Sequence, residues 1–329
     1  MKLSFVIPCY RSERTIEKVV NEIIETVNTR KNYDYEIILV NDGSPDNVIK
    51  VIKNICFKNN KVKCVNLGKN FGQANAKMAG YKYANGDYIF SLDDDGQIAV
   101  DELYKLVDKL DEGYDVVFAK YEQKKHSFLR NLGSKVNNKM ANLLIGKPKE
   151  LVVTSFVAMR PFVVKEIIRY KNPYPYPLGI ITSATNKITN VQTNHRKRQS
   201  GESGYNMKRL LKLWVNGATN FSVKPLRIAI IIGAISAILG FSYGTFTIIQ
   251  KLINSNIQSG WSSIVSIVLF MSGIILCVLG IMGEYLGRIY MALNNIPQYV
   301  ISEKINMDEY LTEDNIRCKD IYSEEYLNV

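Results

Sequence analysis

Two periodicities take turns along the first 120 residues of the chain. Residues 2–8 (Lys-Leu-Ser-Phe-Val-Ile-Pro) form an apolar run closed by a proline, the pattern of a buried parallel strand. Thr15–Val27 then places Ile16, Val19, Val20, Ile23, Ile24 and Val27 at helical spacing. The exchange repeats. Strands are predicted over Tyr35–Val40, Lys61–Asn66, Asp87–Leu92 and Tyr114–Ala119, and helices over Asp46–Phe57, Gly72–Ala84 and Asp101–Leu110. Such alternation predicts an α/β domain with a mostly parallel, Rossmann-like sheet covered on both faces. Beyond residue 120 the rhythm breaks: Leu129–Leu144 reads as helix and Leu151–Met159 as strand. The alternating prolines of Pro173-Tyr174-Pro175-Tyr176-Pro177 demand an extended loop.

The pattern changes again near the carboxyl end. Ile228–Ile249 is 22 residues without a charge, and Trp261–Gly283 is 23 more. As helices each is roughly 33 Å long, enough to cross the hydrocarbon core of a bilayer. Lys208, Arg209, Lys212, Lys224 and Arg227 precede the first span, whereas the connection Gln250–Gly260 holds only Lys251. Positive flanks stay inside, so both termini are expected in the cytoplasm. Asn206–Phe221 gathers Met207, Leu210, Leu211, Trp214, Ala218 and Phe221 on one face beside its basic residues, the mark of a helix lying in the membrane interface. Small residues at four-residue spacing (Ser236, Gly240, Gly244; Gly283, Gly287) allow close helix approach and leave room for a homo-oligomer. The expected organisation is a catalytic-sized domain over 1–205, an interfacial segment over 206–227, a two-helix transmembrane hairpin over 228–283 and a tail over 284–329, polar from Ser302 onward.

Charge narrows the partners. The net charge of +11 favours an anionic partner, a membrane surface or a phosphorylated substrate, and nucleic acid is not expected once the two spans are counted. Five scattered cysteines without a CxxC pair argue for a reducing compartment and against a zinc site.

The chemistry concentrates where the predicted strand Asp87–Leu92 runs into Asp93-Asp94-Asp95-Gly96-Gln97. Adjacent carboxylates repel unless a cation sits among them. A solvated acidic turn is one reading; a divalent ion carrying a diphosphate is the other, since hard oxygen ligands suit Mg²⁺ or Mn²⁺. Glu13 and Asp42 also follow early strands, and the carboxyl ends of such strands share one crevice. Neither GxGxxG nor GxxxxGK[ST] occurs, which argues against dinucleotide binding and P-loop hydrolysis.

Val6-Ile7-Pro8-Cys9-Tyr10 with Glu13, Val40-Asn41-Asp42-Gly43-Ser44, Asn70-Phe71-Gly72 and the acidic run together resemble the motifs of family 2, GT-A-fold glycosyltransferases. His195-x-x-Arg198-x-x-Gly201-x-Ser203-x-Tyr205, the paired spans and Gly283-Glu284-Tyr285-Leu286-Gly287-Arg288-Ile289-Tyr290 narrow the resemblance to bacterial polyprenyl-phosphate glycosyltransferases related to dolichol-phosphate mannose synthase. The resemblance implies that Pro8, Tyr10, Glu13 and Asp42, with Asn70 and Gly72, hold the nucleotide of a sugar donor. It makes Asp93 and Asp95 the metal ligands, with Asp94 a variable middle that tolerates Asn, and Gln97 a positioning group. His195, Arg198, Ser203 and Tyr205 would serve the acceptor, with Arg198 steadying phosphate. The implied reaction is inverting transfer from a UDP-sugar, with Mg²⁺ or Mn²⁺, to undecaprenyl phosphate at the cytoplasmic face of a bacterial inner membrane. Turn or cap roles for Asp42 and Asn70, and an anchoring role for Arg288, are the plainer alternatives. Two departures stand out: Gly204 where relatives often carry Lys, and Ser155 where many carry Asp. They keep open a tethered nucleotide-sugar scaffold without catalysis. A polysaccharide synthase of the same fold would need a Gln-x-x-Arg-Trp element that this chain lacks.

Overall fold

The computed structural model describes residues 1–121, 150–194, 196, 224–253, 260–294 and 296–307. Eight strands form one sheet, β1 (Lys2–Cys9), β2 (Asp34–Asn41), β3 (Val62–Leu67), β4 (Tyr88–Ser91), β5 (Val116–Tyr121), β6 (Val157–Met159), β7 (Ile188–Thr193) and β8 (Ile301–Ile305), in the order β7-β5-β6-β4-β1-β2-β3-β8. The pairs β1–β2, β1–β4, β2–β3 and β5–β7 are parallel. β6 runs antiparallel between β4 and β5, and β8 antiparallel along β3. The mostly parallel α/β sheet expected from the sequence is therefore present.

Helices cover both faces because the strands are apolar on both. Phe5 and Ile7 of β1 face α1 (Ile16–Asn28), α2 (Val48–Lys58) and α4 (Leu103–Asp111), whereas Val6 faces α3 (Gln73–Tyr81) and α5 (Pro161–Arg169). This is the period-two alternation of a pleated strand. Phe5 stacks on Phe90 with ring centroids 5.0 Å apart, and Phe156 continues the row at 6.3 Å. On the other face Gly80 lets α3 lie close to the sheet: a β-carbon there would stand 2.4 Å from Val6 Cγ1 and 2.9 Å from Val40 Cγ2.

A charged side chain lies inside this core. Glu36 of β2 accepts from Ser4 Oγ at 2.5 Å, Lys2 Nζ and Lys63 Nζ at 2.8 Å, and the Asn85 amide at 2.6 Å. Burial alone pushes its carboxyl up, but the two ammonium groups and the other donors outweigh it and hold the pKa below its ordinary value.

Several expectations change in the second half. Only Val157–Met159 of the predicted Leu151–Met159 strand is strand. The stretch before it is taken up by Asn190, which donates to Val152 O at 2.7 Å and accepts from Val152 N at 2.8 Å, an amide clamp in place of a ladder. α5, β7 and α6 (Pro177–Ala184) were not expected, although Val163, Val164 and Ile167 of α5 recur at helical spacing, and Pro177 both ends the proline loop and opens α6. The expected helices at 129–144 and 206–221 lie outside the described residues.

Two long helices follow, α7 (Lys224–Ile253) and α8 (Trp261–Leu293), which touch one another. Among the described residues one stretch, Phe270–Leu293, is long and apolar enough to cross a membrane. It overlaps the expected Trp261–Gly283, and α8 continues unbroken through Gly283 to Leu293. Among the described residues a β-carbon at Gly240, Gly244, Gly283 or Gly287 would meet nothing within 4 Å, so these glycines do not mark a close helix approach there. The segment expected to be a loose tail from Ser302 instead begins as β8, hydrogen-bonded to β3. Ser302 Oγ adds a bond to Asn66 O at 3.0 Å, and Lys53 pairs with Glu303 at 2.8 Å.

Candidate active site

The carboxyl ends of β1, β2 and β4 meet at one edge of the sheet. β1 gives way to Tyr10 and to Arg11, whose φ of 58° is rare for a residue with a side chain. The Arg11 amide donates to Ser44 Oγ at 2.8 Å, which holds that turn against the loop after β2. The same two loops cross again at Glu13. Its amide donates to Asp46 Oδ2 at 3.1 Å, and its carboxylate accepts from the Asn47 amide at 3.2 Å. Glu13 is exposed and Tyr10 is 43% exposed, so both remain open to a ligand, while Pro8 is buried in β1.

Asp42 does something the sequence did not show. Its two oxygens accept from the amides of Phe71 at 2.7 Å and Gly72 at 2.9 Å, and Asn70 Nδ2 donates to its carbonyl at 3.1 Å. The side chain is 2% exposed, and burial raises its pKa despite those two amides. Asp42, Asn70 and Gly72 thus form one clasp between β2 and the start of α3. Gly43 permits it: with φ of 55°, its missing β-carbon would stand 2.3 Å from the Lys69 carbonyl carbon.

The acidic run divides into one inward and two outward-serving residues. Asp94 Oδ2 accepts from the Tyr10 amide at 3.0 Å, and Thr15 Oγ1 donates to the Asp94 carbonyl at 2.6 Å. Burial pushes the Asp94 carboxyl up to about 6. Asp94 therefore ties the run to the β1 turn, a role beyond that of a variable spacer. Asp93 Oδ1 accepts from Gln73 Nε2 at 2.7 Å and lies 3.8 Å from Lys77 Nζ. Asp95 Oδ1 accepts from the Gln97 amide at 3.1 Å across a turn in which Gly96 has φ of 69°. Burial, and then the negative charge of Asp93 and Asp95, push up the pKa of Tyr121 at the end of β5. Because β6 runs opposite to β4, Ser155 enters at this same edge, two residues before Val157 pairs with Ser91.

Gln73, Lys77 and Tyr121 are the residues that sequence reasoning missed. For Lys77 the available signal was a cation one turn into the helix that follows Asn70-Phe71-Gly72. Arg196 is the fourth. Its amide donates to Gln97 O at 2.9 Å, one guanidinium nitrogen pairs with Glu22, and the other reaches Asp101 at 2.6 Å. His195, Arg198, Ser203 and Tyr205 lie outside the described residues, but Arg196 fastens the chain at that point beside the acidic run.

Among the described residues no three His, Cys, Asp or Glu side chains converge as a metal cluster. Asp93 and Asp95 nevertheless fit a Mg²⁺- or Mn²⁺-diphosphate, for which one or two carboxylates with phosphate and water complete the shell.

The sheet, with its acids at the carboxyl edge and one antiparallel strand beside β4, has the GT-A fold. Glucosyl-3-phosphoglycerate synthase of Mycobacterium tuberculosis, solved with Mn²⁺, UDP-glucose and phosphoglyceric acid, shares the fold with a TM-score of 0.50 at 16% identity, over 67% of this chain and 78% of that one. The chain belongs to glycosyl transferase family 2, whose profile matches residues 4–168, and a GtrB C-terminal hairpin profile matches 224–289. A bactoprenol glucosyl transferase derived from prophage SfII in Shigella flexneri is 31% identical, over 92% of this chain and 98% of its own length. An undecaprenyl-phosphate 4-deoxy-4-formamido-L-arabinose transferase of Proteus mirabilis is 28% identical, over 93% and 94%.

Proposed function

We propose that this glycosyltransferase moves a sugar from a nucleoside diphosphate, UDP being the expected one, to undecaprenyl phosphate at the inner face of a bacterial membrane. The observation that carries the reading is the position of the acidic run, with the β1 and β2 turns on one side and the chain fastened by Arg196 on the other. Two relatives matched over nearly their whole lengths bear names that specify such lipid acceptors with different sugars. This supports the acceptor and leaves the sugar open.

In this reading Pro8, Tyr10, Glu13 and the Asp42–Asn70–Gly72 clasp shape the nucleotide pocket. Asp93 and Asp95 hold the metal; when bound, Mg²⁺ or Mn²⁺ supplies Lewis-acid stabilisation of the diphosphate. Lys77, close to Asp93, adds fixed positive charge on the same side. Gln97, tied by its carbonyl to Arg196, positions the acceptor side. An oxygen of the lipid phosphate attacks the anomeric carbon, the bond to the diphosphate breaks with its electron pair, and configuration inverts. A phosphate monoester is largely dianionic at neutral pH, so Ser155 in place of an acid is compatible with the reaction, which asks for alignment more than for a base. His195, Arg198, Ser203 and Tyr205 would receive that phosphate.

Membrane insertion of α7 and α8 is part of the proposal. Their described apolar side chains, among them Leu239, Phe241, Phe270 and Leu276, are exposed to the surroundings rather than packed in a core. β8 follows α8 yet pairs with β3, so the hairpin leaves and returns on the side of the sheet domain. The sheet domain therefore takes in Ile301–Ile305 as well as the expected 1–205, so the carboxyl end of β8 lies on the same side as the domain; in this reading that side is the cytoplasmic face, and 206–227 would lie at the interface.

The test is a screen of nucleotide sugars against the purified full chain with metal and undecaprenyl phosphate, weighing the lipid product. A lipid-phosphate sugar is expected. Release of nucleoside diphosphate at the same rate without the lipid would remove the acceptor assignment, and no release with any donor would leave the scaffold reading.

A further inference from the structure

Between the flank of the sheet domain and the last turn of α8 lies an open cavity of about 800 Å³. One wall is basic: Lys82 after α3, Lys165 and Arg169 on α5, and Lys171 beyond it. Arg169 is paired with Glu166 at 2.9 Å, whereas among the described residues no carboxylate pairs with Lys82, Lys165 or Lys171. The opposite wall is apolar, formed by Met291 and Ala292 of α8 with Ile296 and Pro297. Gln298 fixes one wall to the other, donating from Nε2 to the carbonyls of Tyr170 and Asn172 at 2.7 Å each. Arg288 braces the same loop, its guanidinium 5.4 Å from the Tyr174 ring centroid.

Lys82, Lys165 and Lys171, exposed and without a carboxylate partner among the described residues, line one void with like charge, and an anion bound there relieves their repulsion. The apolar wall ends the Phe270–Leu293 stretch, so in a membrane the cavity opens at the level of the lipid headgroups. Half basic and half apolar, it matches an amphiphile better than a free ion. We propose that it binds an anionic phospholipid, with the headgroup phosphate among Lys82, Lys165 and Lys171 and the glycerol end against Met291 and Ala292. It is separate from the reaction site: α3 touches Asp93 through Gln73 at its first residue, and Lys82 follows its last, roughly 13 Å further along. The bound lipid would fix the height at which the domain sits beneath the hairpin. The inference rests on the proposed membrane insertion of α8.

The full chain is placed in nanodiscs of phosphatidylcholine alone or mixed with phosphatidylglycerol, released, and examined by native mass spectrometry for retained lipid. The wild type should retain phosphatidylglycerol selectively. A triple variant Lys82→Gln, Lys165→Gln, Lys171→Gln should lose that retention on the order of tenfold or more, and the matching Lys→Arg variant should keep it. Equal retention by wild type and Gln variant, or no preference for phosphatidylglycerol, overturns the site while leaving insertion intact. Displacement of the lipid by millimolar inorganic phosphate would reassign the cavity to a free anion. Failure of every form to enter nanodiscs or float with vesicles would overturn both this site and the membrane reading.

Discussion

At the scale of single residues, the acidic run separates into parts that substitution can tell apart. Asp95→Asn keeps size but removes the charge proposed to hold the metal, so turnover should fall on the order of a hundredfold or more, measured as lipid product per enzyme. Wild-type turnover in that variant would refute the metal assignment. Asp94 answers differently. A carboxamide at this position would still offer an oxygen to the Tyr10 amide, so Asp94→Asn should be well tolerated; Asp94→Ala leaves that amide without its partner and should cost about 1–3 kcal/mol in chemical denaturation. The family resemblance singles out Asp93 and Asp95, but the tether made by Asp94 was not legible, because its partner is 84 positions away in the chain. Glu36 supplies a pH test. Its folded pKa is lowered from 4.5, so its stabilising contribution is complete above about that pH and is lost as pH falls through the folded value. Glu36→Gln should therefore flatten the acid limb of the stability curve; an unchanged limb would show that the Lys2 and Lys63 pairs contribute nothing there.

At the scale of elements, the early alternation was legible because the strands up to β5 are short apolar runs buried on both faces, while α1, α2 and α4 between them bury one helical face. β7 was not: its side chains are mostly half-buried, so no period emerges. β8 was hidden for a related reason. At the sheet edge its Ile301, Glu303 and Ile305 are half-buried, while Ser302 and Lys304 are exposed, which reads as a polar tail. Its attachment relies on Asn306, whose Nδ2 donates to Cys56 O at 2.7 Å and Val62 O at 2.9 Å. Asn306→Ala should destabilise the domain by about 1–2 kcal/mol and speed amide exchange in β3. Unaltered exchange in β3 would mean that the strand is held without this residue.

At the scale of the whole molecule, the hairpin interrupts the sheet domain instead of trailing from it. Cutting the chain before α7 would remove β8 together with α7 and α8 and confuse two effects. Replacing 224–293 by a short polar linker keeps 296–307 and separates them. That form should retain nucleotide binding by calorimetry and lose transfer to undecaprenyl phosphate; retention of lipid transfer at the full rate would show that the hairpin does not deliver the acceptor.

The sequence by itself determined the class of fold, the carboxylates and the apolar helices, since each is written in neighbouring residues: a period, a run of like charges, a stretch without charge. Only the tertiary structure decided that Asp42 clasps the start of α3, that Asp94 is a tether, that Arg196 is fastened beside Gln97, and that the chain returns from α8 to close the sheet. Those contacts join residues far apart in the chain, and their geometry exists only once the backbone has folded.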